Sequence, residues 1–458
     1  MKNRVFCLIL VFILLLPVVA GCGNGRKADA APDYSGFELP EETGKLVVYT
    51  AEGEYGSTMT PAVEIFRERY PEIEVSYRIY DEDEFRKMIQ DEIPGGGGPD
   101  LLLFSGIDLP DVYKTMSEGL FVDLNPYFSS DAEIDLGDFI EAVMDGGVQN
   151  GRRYIAPVSY EMPLLVTTRS ILKEIDMKKS DLETCEGFFE AASRFHDAHP
   201  VSDLYIDYCG GYPPERAYFR ALYLNLGFNF IDYETGKITI DEELFRRCAD
   251  TVKLYYDPDY DVTDTSKESL DNGFYYAGGA IRLKQCLFGS FNLSYYPYKE
   301  VCIYLDEKGV NTALVAQKDQ NDGVTAEINL CAAIPNDSSN KAAAWKLLKI
   351  LLSDEIQGGH DENQTASTYF WTGYPVRRDS IRSFLTREKD LVFEFVPETM
   401  ISKEEYIEMV QSPTDAHMIP NVYRQLLEDE IMPYIRGEKT WNKSYKSFVK
   451  ALKTYMKG

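Results

Sequence analysis

Apolar and polar positions change their period in a regular order along the chain. Lys45-Leu-Val-Val-Tyr-Thr50 is a short apolar run that predicts a buried strand. Thr60-Pro61 predicts a helix start, with Thr60 as cap, Pro61 at the first position, Val63, Phe66 and Tyr70 on one face, and Pro71 as stop. Ile73, Val75, Tyr77 and Ile79 alternate as a second strand. Asp81 with Glu84 has capping-box spacing ahead of the stripe Phe85, Met88 and Ile89. After Gly95–Gly98 and Pro99, Asp100-Leu-Leu-Leu-Phe104 predicts a third strand. Strand, helix, strand, helix, strand with short connections opens an α/β parallel sheet. Ligands of such sheets sit beyond the carboxyl ends of the strands, here Thr50–Tyr55 and Ser105–Asp108.

Further along, Phe230–Ile240 predicts two extended pieces around a turn at Thr235-Gly236, followed by a helix from about Asp241 to Tyr256. Lys341–Leu352 is a helix with Ala344, Trp345, Leu348, Leu351 and Leu352 on its apolar face. Val422–Gly458 predicts two helices separated near Pro433–Lys439.

The first residues follow a different rule. Lys2 and Arg4 precede the apolar run Val5–Ala20, which ends in Val19-Ala20-Gly21-Cys22 and is shorter than the roughly 20 residues a spanning helix needs. This resembles a lipoprotein signal peptide, residues 1–21, with Cys22 as the lipid-bearing new N-terminus and residues 22–43 as a flexible tether. An ordinary cleaved signal and an uncleaved anchor are the alternatives. Residues 44–458 exceed one core and predict two lobes. The formal charge of -28 repels phosphate backbones, so nucleic acid is not an expected partner. Six cysteines follow Cys22 without metal-ligand spacing, and buried free thiols are the expectation.

Several motifs occur in a telling order: Tyr70-Pro-Glu-Ile-Glu-Val75, Gly98-Pro99-Asp100-Leu101, Gly119-Leu-Phe-Val-Asp-Leu-Asn125, Gly151-Arg-Arg-Tyr-Ile-Ala-Pro157, Gly278-Gly-Ala280, Ala332-Ala-Ile334 and Gly373-Tyr-Pro-Val376. The chain thereby resembles the extracellular solute-binding proteins of ABC importers, the group that includes maltose-binding proteins. It departs from them at Thr167-Thr168-Arg169, where they often carry Asn, and in having only 3 tryptophans. The resemblance implies a two-lobed periplasmic-binding-protein-like α/β fold. Each lobe would be an open, mostly parallel sheet flanked by helices, and strands would cross between them near Ala156–Val158 and Glu327–Ile334. The lobes would comprise residues 44–157 plus 328–372 and residues 158–327 plus 373–458. The implied role is that of a monomer, anchored by lipid outside the cytoplasm, that captures a mono- or oligosaccharide and delivers it to permease subunits. A polyamine or other non-sugar solute, or a sensor or adhesion role, stays open.

Catalytic and cofactor readings find little support. Gly95–Gly98 lacks the Gly-Lys-Ser/Thr of a phosphate loop. His196 and His199 have no third metal ligand in view. Glu52 and Glu54 lie on one loop, a poor arrangement for opposed glycosidase carboxylates. No cofactor, metal or enzymatic activity is expected.

Binding candidates come instead from loop aromatics and their polar neighbours. Phe66, Phe85 and Trp345 lie on helical stripes and are assigned to the core, whereas Tyr55, Tyr160, Tyr212, Tyr276, Trp371 and Tyr374 sit near strand ends or crossings. Aromatic faces stack on sugar C–H faces, and placed polar groups fix orientation. Glu52, Ser105, Asp108, Glu161, Arg216 and Asn329 are the polar candidates.

Overall fold

The computed structural model describes residues 34, 36–41, 44–206, 226–256, 276–289, 302, 304–358, 373–386 and 401–457. Strand Lys45–Ala51 pairs in parallel with Glu74–Tyr80 on one side and Leu101–Phe104 on the other. Cys331–Ala333 runs antiparallel beside Leu101–Phe104, and Ala156–Pro157 completes this first sheet.

Local chemistry explains its turns. The Asp81 carboxyl accepts from the amide of Glu84 at 2.9 Å, the predicted cap. Asp100, the acid of the Gly-Pro-Asp turn, is buried and accepts from Val47 N at 2.7 Å, Ser338 Oγ at 2.7 Å and Asn340 Nδ2 at 2.9 Å. That one side chain rivets two strands to the start of helix Lys341–Leu351. Trp345 of this helix is buried as predicted, edge-on to Phe128, and its indole N–H donates to Asp131 at 2.8 Å.

The first helix differs from its prediction. It spans Glu54–Arg69, so Pro61 lies inside it. Gly53, with φ 73°, turns the chain directly out of the first strand, and Tyr55, Thr58 and Met59 are then buried by the early turns. That burial offsets the roughly 3 kcal/mol an interior proline costs. Thr60 is no cap; its hydroxyl meets Tyr77 Oη at 3.0 Å.

The second sheet has the order Thr312–Ala316, Leu164–Thr168, Cys286–Gly289, Asp203–Ile206. Leu164–Thr168 is antiparallel to both neighbours, and the last two strands are parallel. Helix Cys185–Ala198 covers it through Phe188, which stacks on Phe288 at 5.7 Å. Helix Glu242–Leu254 packs behind, joined by Arg247 to Glu186 and by Tyr255 to the carbonyl of Ala192. The hairpin Ile231–Asp232/Lys237–Ile238 and the C-terminal helix Trp441–Tyr455 lean on this layer through Phe230, Phe245 and Phe448.

A third sheet links the two, in the order Tyr374–Pro375, Ser159–Glu161, Thr325–Ile328, Asp415–His417. The chain leaves the first sheet at Pro157, runs through Ser159–Glu161 and enters the second at Leu164. It returns from Ala316 through Thr325–Ile328 to Cys331. The molecule is thus a two-lobed α/β protein whose lobes are joined by crossing strands. Gln357, fully buried, locks the crossing: its amide donates to Val158 O at 3.1 Å and Leu351 O at 2.9 Å and accepts from Val376 N at 2.8 Å. Cys185, Cys248, Cys286 and Cys331 are free thiols, all buried except the half-buried Cys185, and Cys302 is buried as well. Cys22 and Cys209 lie outside the described residues.

Candidate functional site

The crossing strands have two faces, because successive side chains of a strand point opposite ways. On one face, Tyr160 is fully buried, packs on Tyr374 at 5.7 Å and donates its hydroxyl to Val410 O at 2.6 Å. Tyr374 is equally buried and its hydroxyl is bonded to that of Tyr406. Burial pushes the Tyr160 phenol well above its ordinary value. This face is packed interior, with both tyrosines fully buried.

The opposite face is polar. Glu161 stands directly across from Glu327, which is in register with His417 on its other side. Two positions beyond Glu327, Asn329 donates from Nδ2 to Glu54 Oε1 at 2.9 Å. Glu54, Glu161, Glu327, Asn329 and His417 are all half-buried. The side chains of an opposed antiparallel pair start about 5 Å apart, so Glu161 and Glu327 share one small space. His417 Nε2 lies 3.8 Å from Asp415.

Glu54 belongs to the carboxyl end of the first strand, where ligands of such sheets bind. There Glu52 is exposed and Ser105 half-buried. Tyr55 and Asp108 are buried instead and used on each other, with Tyr55 Oη donating to Asp108 Oδ2 at 3.1 Å. Asp108 also accepts from Ser105 N at 2.8 Å and Arg86 Nε at 3.0 Å. Burial raises its carboxyl above the usual value, against the opposing pull of the Ser105 amide and Arg86. Tyr55 is raised by burial and by Asp108. These two form the framework of the loop.

The structure therefore brings Glu161 and Asn329 together on one surface, and leaves Glu52 and Ser105 at the strand ends. Tyr212, Arg216 and Trp371 lie outside the described residues, and Tyr276 opens the helix Tyr276–Arg282 with its side chain outside the description. Glu327 and His417 share this surface and are not among the residues the sequence singles out. Alternation within the predicted Glu327–Ile334 crossing sets Glu327 on the face of Asn329, a usable signal; His417 carries none, because its strand is only Asp415–His417. Among the described residues no cluster of His, Cys, Asp or Glu could hold a metal ion, and no helix is long and apolar enough to cross a membrane. His199 meets Glu174 at 3.1 Å and His196 packs edge-on to Tyr255, so the two are not joined in a site.

Two α/β lobes joined by crossing strands, with a polar surface on the crossing, define a solute-binding protein. The sequence matches the model of the bacterial extracellular solute-binding protein family over residues 50–358, well over half of its length. The chain belongs to that family. No curated protein matches it. Among solved structures it is similar to the GacH receptor of Streptomyces glaucescens, studied unliganded and with acarbose (15% identity, TM-score 0.54, covering 91% of this chain and 98% of that one). It is also similar to the cyclic alpha-maltosyl-1,6-maltose binding protein of Arthrobacter globiformis (15%, TM-score 0.59, 91% and 100%). The sugar-binding protein MalE of Xanthomonas citri is a third (12%, TM-score 0.60, 90% and 96%). At these identities the likeness is one of fold.

Proposed function

We propose that this protein captures a mono- or oligosaccharide between its lobes and delivers it, unchanged, to the permease of an ABC importer. The observation that carries the reading is the polar surface of Glu161, Glu327, Asn329 and Glu54 on the strands that join the lobes. Carboxylates and amides there accept from and donate to sugar hydroxyls, and proteins of this fold include sugar binders. Glu52 and Ser105 flank the surface from the first lobe, and Tyr212, Arg216, Tyr276 and Trp371 are the remaining candidates for contact. The lobes comprise residues 44–157 with 328–372 and residues 158–327 with 373–458. Cys22 carries the lipid that holds the protein outside the cytoplasm.

Titration calorimetry with a panel of mono- and oligosaccharides is the test. One saturable sugar, with heat abolished in Glu161→Ala, is the expected result. Absence of heat with every sugar overturns the reading. A second reading has its own observation: Glu161 opposite Glu327 sets two carboxyl side chains side by side, a set of acceptors that suits a cationic solute. Saturable heat with spermidine and none with sugars selects it. For the anchor, mass spectrometry of the N-terminal peptide should show Cys22 as the first residue with an acylated sulfur; an unmodified Cys22 thiol rejects lipid attachment there.

A further inference from the structure

The lobes touch each other directly through a cluster beside the crossing sheet, where Tyr113 Oη accepts the amide of Met418, one residue past strand Asp415–His417, at 3.0 Å. Asp111 follows the loop that leaves the first sheet at Phe104 and is buried, 3% exposed. Its Oδ1 accepts the amides of Tyr113 and Lys114 at 3.0 and 3.1 Å, capping helix Val112–Ser117. Its Oδ2 accepts two phenols from the other lobe: Tyr233, in the turn of the hairpin, at 2.6 Å, and Tyr455, at the end of the C-terminal helix, at 2.7 Å. Tyr423 Oη lies 2.9 Å from Tyr233 Oη, and since the Tyr233 proton is given to Asp111, Tyr423 supplies the proton of this second bond.

Apolar and cationic contacts follow the same path. Tyr113 stacks on Tyr233 at 5.3 Å, and Lys114 Nζ lies 5.5 Å from the Tyr455 ring. One residue beyond Tyr233, Glu234 accepts the amide of Asn150 at 3.2 Å. Residues 37–458 accordingly form one compact unit. A rotation of one lobe against the other about the crossing strands would pull Tyr233 and Tyr455 off Asp111.

We propose that Asp111, Tyr233 and Tyr455 form an interlobe latch that holds the lobes in this compact arrangement, and so sets how readily the cleft opens. The inference rests on the capture reading for its purpose, since lobe opening is what admits a solute. It makes closure depend on the protein's own side chains as well as on ligand. Two-state lobes respond to any contact made in only one state. A hydroxyl bond lost from a buried carboxyl shifts such an equilibrium by about tenfold.

The test uses small-angle X-ray scattering of the ligand-free protein, so it does not require the solute to be known. Tyr233→Phe and Tyr455→Phe keep the rings and remove only the hydroxyls, whereas Asp111 variants would also uncap a helix. Tyr255→Phe, whose hydroxyl serves Ala192 within the second lobe, is the control. The double variant Tyr233→Phe/Tyr455→Phe should have a larger radius of gyration than the wild type, with each single variant between, and Tyr255→Phe should match the wild type. Superposable curves for the double variant and wild type, with both melting cooperatively, overturn the latch. Expansion equal to the double variant's in Tyr255→Phe overturns it too. Failure of every sugar to bind would remove the capture reading while leaving a scattering difference, and the latch, in place.

Discussion

The two faces of the crossing strands are built from neighbouring residues and do opposite work. Tyr160 and Glu161 are adjacent, yet one is fully buried with its hydroxyl committed and the other stands opposite Glu327 on a half-buried surface. The tyrosine face gains from apolar burial and closed hydrogen bonds, so it stabilises the joint. The glutamate face sets Glu161 beside Glu327 and leaves both half-buried, so it adds little apolar burial to the joint. The difference teaches that at this joint proximity to the crossing does not decide exposure; parity along the strand does.

The sharpest way to break that comparison is to truncate both neighbours. Tyr160→Ala should cost about 3–5 kcal/mol, because it leaves a cavity beside Tyr374 and strips the donor from Val410 O. Glu161→Ala should change stability by about 1 kcal/mol or less while removing sugar binding. Urea unfolding read by circular dichroism measures both. Equal losses for the pair would mean that the glutamate is structural as well.

Next in size is Gln357→Leu, which keeps bulk but strands two carbonyls and the amide of Val376 in the interior. A loss of about 2–3 kcal/mol is expected. This position tests whether the closed face extends behind the strands: a loss under about 0.5 kcal/mol in the same urea measurement would show that the amide bonds are replaceable.

How far these features could be read beforehand follows from the range of the interactions behind them. The first three strands and the Asp81 cap were legible, since alternation and capping are settled within a few residues. The helix start was misplaced at Thr60 because burial of Tyr55, Thr58 and Met59 outweighed a proline signal, and burial is tertiary. Tyr160 and Glu161 could both be proposed for the site, because alternation says that they differ without saying which is inside. Val410, 250 residues further on, decides that. Tyr55 and Asp108 were placed correctly at strand ends, but Arg86 and the Ser105 amide turn the pair into internal framework. The Asp111 cluster joins residues from three distant segments and had no local mark.

The smallest effect distinguishes two interior carboxyls by pH. Burial pushes Asp131 up, but the bonds from Lys349, the Glu133 amide and the Trp345 indole outweigh it, and the net value lies below the ordinary one. A carboxyl lowered by folding contributes stability that is complete above its unfolded value and disappears as pH falls through its folded value. Asp108 is raised, so its sign is reversed: the folded state holds that proton more tightly, and its contribution falls as pH rises through the raised value. Asp131→Asn should therefore flatten the acid side of the stability profile. Asp108→Asn should remove a decline that lies at higher pH, each by under about 1 kcal/mol. Urea midpoints at half-unit steps from pH 3 to 7 would resolve the two slopes. If both variants changed the profile in the same sense, the pull of Arg86 and the Ser105 amide on Asp108 would exceed the push of its burial.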